Sequence, residues 1–361
     1  MGKVVLVTGV ARPLGARFAE RISEHPEVDR VVGVDAAPPP ADLPFGVRYA
    51  QVDPRRPAIA RVIAEHEVDT VVHLNVTALG HGGRTAVKES NVIGSMQLLG
   101  ACQQAPGLRR LVVKSTTAVY GSAPRDPAVF GERTQPKALP PGGFARDAAE
   151  VEGYVRGFAR RRPDVAVTVL RFANILGPDG DTPLAAYFRL PVLPTAFGHD
   201  PRLQFVHEED ALEVLRRAAL GAPPGTYNVA GDGVLLLSQC ARRLGRPTVP
   251  LLRPALGLVA RLARRLAAPA DRAFSQEQLQ LLTHGRVVDT VRLREEFGHT
   301  PRWTTAETFA DFVAHTSAGP LPPERLTAVT DRLAGLLGDH PPAGHRPTGH
   351  HPTENHESRP R

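Results

Sequence analysis

Between Thr8 and Gly15 the chain reads Thr8-Gly9-Val10-Ala11-Arg12-Pro13-Leu14-Gly15, placed after a β-branched run and before a stretch of helical spacing. Glycines at 9 and 15 let the backbone turn sharply and come close to a pyrophosphate, whose charge is met by the helix N-terminus. Asp35 stands 20 residues after Gly15, at the end of the second apolar run, where a carboxylate binds ribose hydroxyls. That carboxylate repels a 2′-phosphate and favours NAD. Arg12, a fixed cation in the loop, leaves NADP open, since a guanidinium pairs readily with phosphate. Leu14 and Leu74, at the turns after the first and fourth apolar runs, complete the cofactor set. The plainer alternative is an ordinary strand-to-helix turn with a surface aspartate.

The elements that must position this loop follow from apolar periodicity. Lys3 to Thr8 and Arg30 to Asp35 read as strands around a helix from Leu14 to Ser23. The alternation continues with strands at 47–52, 70–74, 110–114 and 166–171, and helices at 58–65, 85–104 and 146–161. Strands alternating with helices imply a doubly wound parallel α/β sheet, here a dinucleotide-binding domain over 1–171. Past Gly177-Pro178 the pattern loosens into Pro-rich loops with helices near 211–220, 238–244 and 305–314. We read 172–338 as a smaller substrate-binding lobe, with elements free to interleave with the sheet. Residues 339–361, rich in His, Pro and polar residues without apolar periodicity, read as a disordered tail.

Composition narrows the function classes. Of 361 residues 42% are hydrophobic and 22% charged, enough for a sizeable core and incompatible with general disorder. The net charge is +7, but only Lys3, Lys88, Lys114 and Lys137 are lysines, and the arginines are spread among acids. No basic patch interleaved with aromatics occurs, so a nucleic-acid partner is not expected. Two distant cysteines, Cys102 and Cys240, build neither a disulfide framework nor a zinc site, and no metal centre is expected. The start carries no signal h-region and no stretch reaches 18 apolar residues, which points to the cytoplasm. Leu252, Leu256, Val259, Leu262 and Leu266 form one stripe within 251–266 beside three arginines. Such a helix can touch an anionic membrane surface, though more often it covers a small lobe.

Several segments together resemble the extended short-chain dehydrogenase/reductase superfamily, in its NAD-dependent epimerase/dehydratase branch, over roughly residues 3 to 315. They are VLVTG at 5–9, VVGVD at 31–35, VVHL at 71–74, NVIGSMQLL at 91–99, STTAVYG at 115–121, LRFANILGP at 170–178, FVHEED at 205–210 and TYNVAGDG at 226–233. Within that branch the chain looks most like actinobacterial proteins labelled UDP-glucose 4-epimerase. The resemblance implies a Rossmann fold, NAD held by Gly9, Gly15 and Asp35, and Asp53 near the adenine. It also implies Thr116 as the catalytic hydroxyl, Asn174 against a nucleotide-sugar substrate, and a homodimer. One glycine departs: the family's middle loop glycine is Arg12 here.

The larger departure concerns proton transfer. The resembling enzymes use Tyr-x-x-x-Lys, a phenolate that removes a hydroxyl proton and a lysine that lowers its pKa, four residues apart on one helix face. Here Phe144 and Ala148 occupy those positions, and no tyrosine in the chain has a lysine four residues later. Loss of a general base costs roughly a hundred- to ten-thousand-fold in rate. Substitutes are Lys114, which shares a strand face with Thr116, then Tyr120 in the following loop and His81 after the fourth strand, the last also expected beside Asn174 in the substrate site. Lys114 and Tyr120 have bland readings too, a solvated or ion-paired strand end and a packing residue of the VYG turn. Two functions remain open on the residues alone. One is a nucleotide-sugar epimerase or dehydratase with reassigned proton transfer, the other a non-catalytic dinucleotide-binding sensor or scaffold.

Overall fold

A computed structural model of the chain describes residues 2–39, 46–78, 83–134, 143–178, 180, 182–252 and 275–316. The loop containing His81, nearly all of 251–266 and the whole of 339–361 lie outside the described residues.

Strand β1 (Lys3–Thr8) is buried on both faces from Val5 onward, which is what a continuous β-branched run demands of a central parallel strand. It pairs in parallel with β2 (Val28–Asp35) on one side and β4 (Thr70–His73) on the other, with Val7 opposite Gly33 and Val72. Beyond β2 lies β3 (Val47–Gln51). Beyond β4 lie β5 (Arg110–Thr116) and β6 (Ala166–Phe172). Helices α1 (Pro13–Ser23), α2 (Ala58–Glu65), α3 (Gly83–Gln103) and α4 (Gly143–Arg161) connect them. Each buries an apolar stripe, such as Phe18, Ala19 and Ile22 of α1, against the sheet. The doubly wound parallel sheet expected from the alternation is therefore observed.

One strand of the second half was not legible in the periodicity. A seventh strand, β11 (Gly225–Val229), closes the order β3-β2-β1-β4-β5-β6-β11, pairing in parallel with β6. Helix α6 (Glu208–Leu220) packs its Leu212, Leu215, Ala218 and Ala219 into the same core. The remaining short strands, β7 (Asn174–Leu176), β8 (Leu193–Ala196), β9 (Arg202–Leu203), β10 (Phe205–His207), β12 (Leu235–Leu236) and β13 (Thr248–Leu251), pair two by two. With helices α5 (Pro183–Phe188), α7 (Leu237–Arg243), α8 (Gln276–His284) and α10 (Thr305–Ala314) they surround a second core. Its centre is aromatic: Phe309 lies 5.1 Å from Phe188 and 5.4 Å from Phe205, ring centre to ring centre. Of the elements after β6, α6, β11 and the short α9 (Val291–Glu295) pack into the main core.

The strand order reverses between β1 and β4. Their carboxyl ends diverge there and open a crevice, the usual ligand position in such sheets. The loop carrying Gly9 and the turn carrying Leu74 stand on its two sides.

Candidate active site

At Gly9 the backbone turns with φ +81°, a left-handed conformation that a side chain resists, and a Cβ there would lie 3.3 Å from the Asn75 amide nitrogen. A Cβ on Gly15 would fall 2.1 Å from the Gly9 carbonyl oxygen, so only glycine lets α1 approach its own loop this closely. Arg12 is the N-cap of α1 with φ −107°, an extended conformation open to any residue. The missing middle glycine therefore costs no backbone strain. The Arg12 side chain reaches across the crevice to Thr77, Nη1 to Oγ1 at 3.4 Å, and no side chain caps α1. Asp35 accepts from the Ala11 amide at 3.2 Å and from the Ala37 amide at 3.1 Å, which ties the end of β2 to the loop. This cradle of glycines, an uncapped helix start and a carboxylate 20 residues on fits a dinucleotide pyrophosphate and ribose.

The crevice widens into a cavity of about 530 Å³, within the roughly 300–1,000 Å³ common for small-molecule sites. Gly9, Arg12, Leu14, Gly15 and Leu74 line one part of it, and Lys114, Thr116 and Asn174 line another. Of the residues singled out in the sequence, these line the cavity, whereas Asp35 stands outside the lining and reaches the loop only through the Ala11 amide. Lys114 Nζ donates to the Val76 carbonyl at 2.8 Å. Burial, followed by the Arg12 charge, pushes its pKa down to about 8. Thr116 ends β5, and its Oγ1 accepts from the Ala118 amide at 3.1 Å, capping the turn Thr117–Tyr120. Asn174 opens β7, opposite Phe205 of β10.

Behind this wall His73 is wholly buried. Ser95 Oγ donates to the Asn91 carbonyl, so it accepts from His73 Nε2 at 2.8 Å, which leaves Nδ1 as the acceptor of the Thr8 hydroxyl at 2.8 Å. Burial pushes the His73 pKa down to about 4, so the ring is neutral and fixed.

Two expected residues stand elsewhere. Tyr120 faces away from the cavity: its hydroxyl donates to Asn228 Oδ1 at 2.8 Å and accepts from Arg171 at 2.8 Å, while its ring stacks on Phe130. Burial raises its pKa, which is unhelpful to a proton acceptor. The turn after β5 is what rotates it there. Asp53 does not line the cavity either, being occupied by Arg55, with Nη2 to Oδ2 at 2.8 Å.

At the start of α4 the cavity is lined by Phe144, while Ala148 is buried in the main core. Periodicity and motif both missed the charged groups around this turn. Asp147, 1% exposed, holds Arg84 in a bidentate pair at 2.6 Å for each bond and accepts from Asn91. From the second lobe come Glu277 of α8 and Arg286, both lining the cavity. Arg286 donates to the Gly121 carbonyl at 2.8 Å and to Ser122 Oγ at 3.2 Å, and burial pushes its pKa down to about 10. For Arg286 the signal was a lone charge in LLTHGRVV, and Glu277 sits among polar neighbours in SQEQLQ, where nothing local singles it out.

The sheet order, the glycine cradle and the cavity at the strand ends define a short-chain dehydrogenase type of dinucleotide fold. Sequence comparison narrows the class: the NAD dependent epimerase/dehydratase family profile matches residues 5–230, and the chain belongs to that family. An uncharacterized protein of Mycobacterium tuberculosis is 45% identical over 340 residues, covering 92% of this chain and 90% of the relative. A probable UDP-arabinose 4-epimerase of Oryza sativa is 28% identical over 146 residues, 39% of this chain and 34% of the relative. Among solved structures, UDP-glucose 4-epimerase of Thermotoga maritima with UDP-glucose superposes with a TM-score of 0.66 at 17% identity, covering 86% of this chain and 98% of that one. The dTDP-glucose 4,6-dehydratase of Bacillus anthracis in complex with NAD gives 0.66 at 17% identity, covering 87% and 96%. At these identities the two structures share the fold.

Proposed function

We propose that the chain binds NAD across the β1/β4 crevice and acts on a nucleotide sugar in the adjoining cavity, as an epimerase or dehydratase with its proton transfer reassigned. The observation that carries this reading is one continuous cavity joining the Gly9–Gly15 cradle to Lys114, Thr116 and Asn174. Gly9 and Gly15 admit the pyrophosphate, and Asp35 takes the ribose hydroxyls and disfavours NADP. The dinucleotide supplies the hydride acceptor and donor when bound. Lys114 takes over the positive charge of the absent lysine, because with a pKa near 8 it is protonated at neutral pH and already inside the cavity. Thr116 offers its hydroxyl hydrogen to a substrate oxygen, Asn174 contacts the sugar nucleotide, and Arg286 meets its phosphates. The solved Thermotoga maritima and Bacillus anthracis structures, holding UDP-glucose and NAD respectively, support the ligand class. Exposed Ile93 and Met96 on α3 and Tyr154 on the neighbouring α4 support a homodimer through these helices.

The test is calorimetric titration with NAD and NADP, followed by absorbance at the reduced-nicotinamide band across UDP-, dTDP- and GDP-sugars. NAD binding tighter than NADP, with turnover of at least one sugar, is the expected result. Binding of neither dinucleotide overturns the reading. Phe144 and Ala148 favour a second reading, a non-catalytic sensor or scaffold, which predicts NAD binding with no turnover on any sugar.

A further inference from the structure

At the first turn of α4, where the resembling enzymes carry a phenol, this chain carries Phe144, yet an acid stands at the same turn. Glu277 reaches it from α8. Its Oε2 accepts from the Ala145 amide at 2.9 Å, and a Cβ built on Gly143 would lie 3.1 Å from that oxygen. The carboxylate therefore holds the backbone amide just after Phe144 and fills the space a side chain on Gly143 would need. Its Oε1 has no hydrogen-bond partner among the described residues. Glu277, Phe144, Lys114 and Thr116 line one cavity. The charged groups facing Glu277 are Arg286 beyond α8, Arg84 of α3 and Asp147 of α4. Burial raises its pKa and Asp147 adds to the rise, while the Ala145 amide, Arg286 and Arg84 oppose it. Such an environment moves a carboxyl group toward the operating pH of a general acid or base.

We propose that Glu277 exchanges the hydroxyl proton of the bound sugar, the part for which no tyrosine is present. This rests on the NAD-linked reading above. In the oxidative direction the sugar O–H proton passes to the Glu277 carboxylate. The hydrogen on the same carbon leaves with its electron pair to the oxidised dinucleotide, and a carbonyl forms. The return direction delivers both back, with protonated Glu277 as the acid. α4 contributes an apolar wall through Phe144, and α8 contributes the acid.

Glu277→Gln keeps an acceptor for the Ala145 amide and removes the exchangeable proton. The experiment compares wild type, Glu277→Gln and Glu277→Asp in the NAD-loaded protein with UDP-glucose and UDP-galactose. Single-turnover rates are read by absorbance, and carboxyl carbon resonances of labelled glutamate are titrated with pH. Expected are a Glu277 resonance, identified by its loss in the glutamine variant, that titrates above ordinary glutamate and moves when the sugar nucleotide is added. The turnover rate should fall in Glu277→Gln by roughly a hundred- to ten-thousand-fold with dinucleotide affinity unchanged, and the matching limb of the pH–rate profile should vanish. Partial activity is expected in Glu277→Asp. Wild-type speed in Glu277→Gln, or a carboxyl resonance indifferent to the sugar nucleotide, overturns the role of Glu277 and leaves the NAD-linked reading standing. A wild type that neither binds nor turns over sugar nucleotides overturns both.

Discussion

Tyr120 separates structural from catalytic hydroxyls, and Tyr120→Phe makes the separation measurable. The substitution keeps the ring stacked 5.0 Å from Phe130 and the Arg171 guanidinium 5.0 Å above it, so the loss is confined to one oxygen. That oxygen donates to Asn228 Oδ1, whose side chain is fully buried and whose Nδ2 is engaged by the Phe130 and Asp289 carbonyls. Asn228 Oδ1 would be left without its donor. Arg171 would lose one acceptor but keep the Glu132 carbonyl and the Glu152 carboxylate. An unsatisfied buried acceptor costs about 1–3 kcal/mol. At roughly 2–4 °C of Tm per kcal/mol for a domain of a couple of hundred residues, the melting temperature should drop by roughly 2–12 °C. Calorimetric melting with and without NAD is the assay, paired with turnover on whichever sugar nucleotide the panel yields. Dinucleotide affinity and turnover should be unchanged. A variant as stable as wild type but inactive would place Tyr120 in the chemistry and refute this reasoning.

Two further outcomes follow from buried charge. Lys114 keeps its proton to about 10.5 when unfolded and releases it near pH 8 when folded, so between these values the unfolded chain binds more protons and stability rises with pH. Lys114→Met removes that slope and, at pH 7, relieves a cost of up to about 3 kcal/mol. Urea unfolding of both proteins at pH 7 and pH 10 checks it, and identical pH dependence in the two would contradict the buried position of the amine. Glu152, with its side chain 5% exposed, bonds Arg171 at 2.6 Å and accepts from Ser115. Glu152→Ala leaves the Arg171 charge without its carboxylate, with the Tyr120 hydroxyl and the Glu132 carbonyl as remaining acceptors, and should cost about 3–5 kcal/mol in urea unfolding, against a negligible loss if the pair were solvated.

Much of the dinucleotide half could be read from residues because its determinants are local. The β-branched runs, the apolar helical stripes and the loop glycines each act within a few residues of themselves, and they survive as β1 to β6 and α1 to α4. Arg12 looked like an obstacle because a motif records residue types without their dihedral angles, and at an extended φ no glycine is needed. Tyr120 looked like a reactive candidate because chain proximity to Thr116 suggests shared surroundings. A single turn of helix carries it to the other side of the wall, toward Asn228 more than a hundred residues away. Glu277 and Arg286 were invisible for a related reason: their meaning depends on packing against α4 and Gly121, contacts across more than 130 residues that no local pattern encodes.

The position of β11 bears on how the molecule is made. A ribosome releases β6 well before residues 225–229, so the nascent sheet carries a naked edge along Ala166–Phe172 until its last strand emerges. The apolar surface later sealed by Leu212 and Leu215 of α6 stays wet over the same interval. Stopping synthesis at the apparent end of the cofactor-binding half would release a sticky, half-finished sheet prone to pairing with its copies. The N-terminal half depends for its solubility on a stretch of chain that arrives only after part of the second lobe has already been translated.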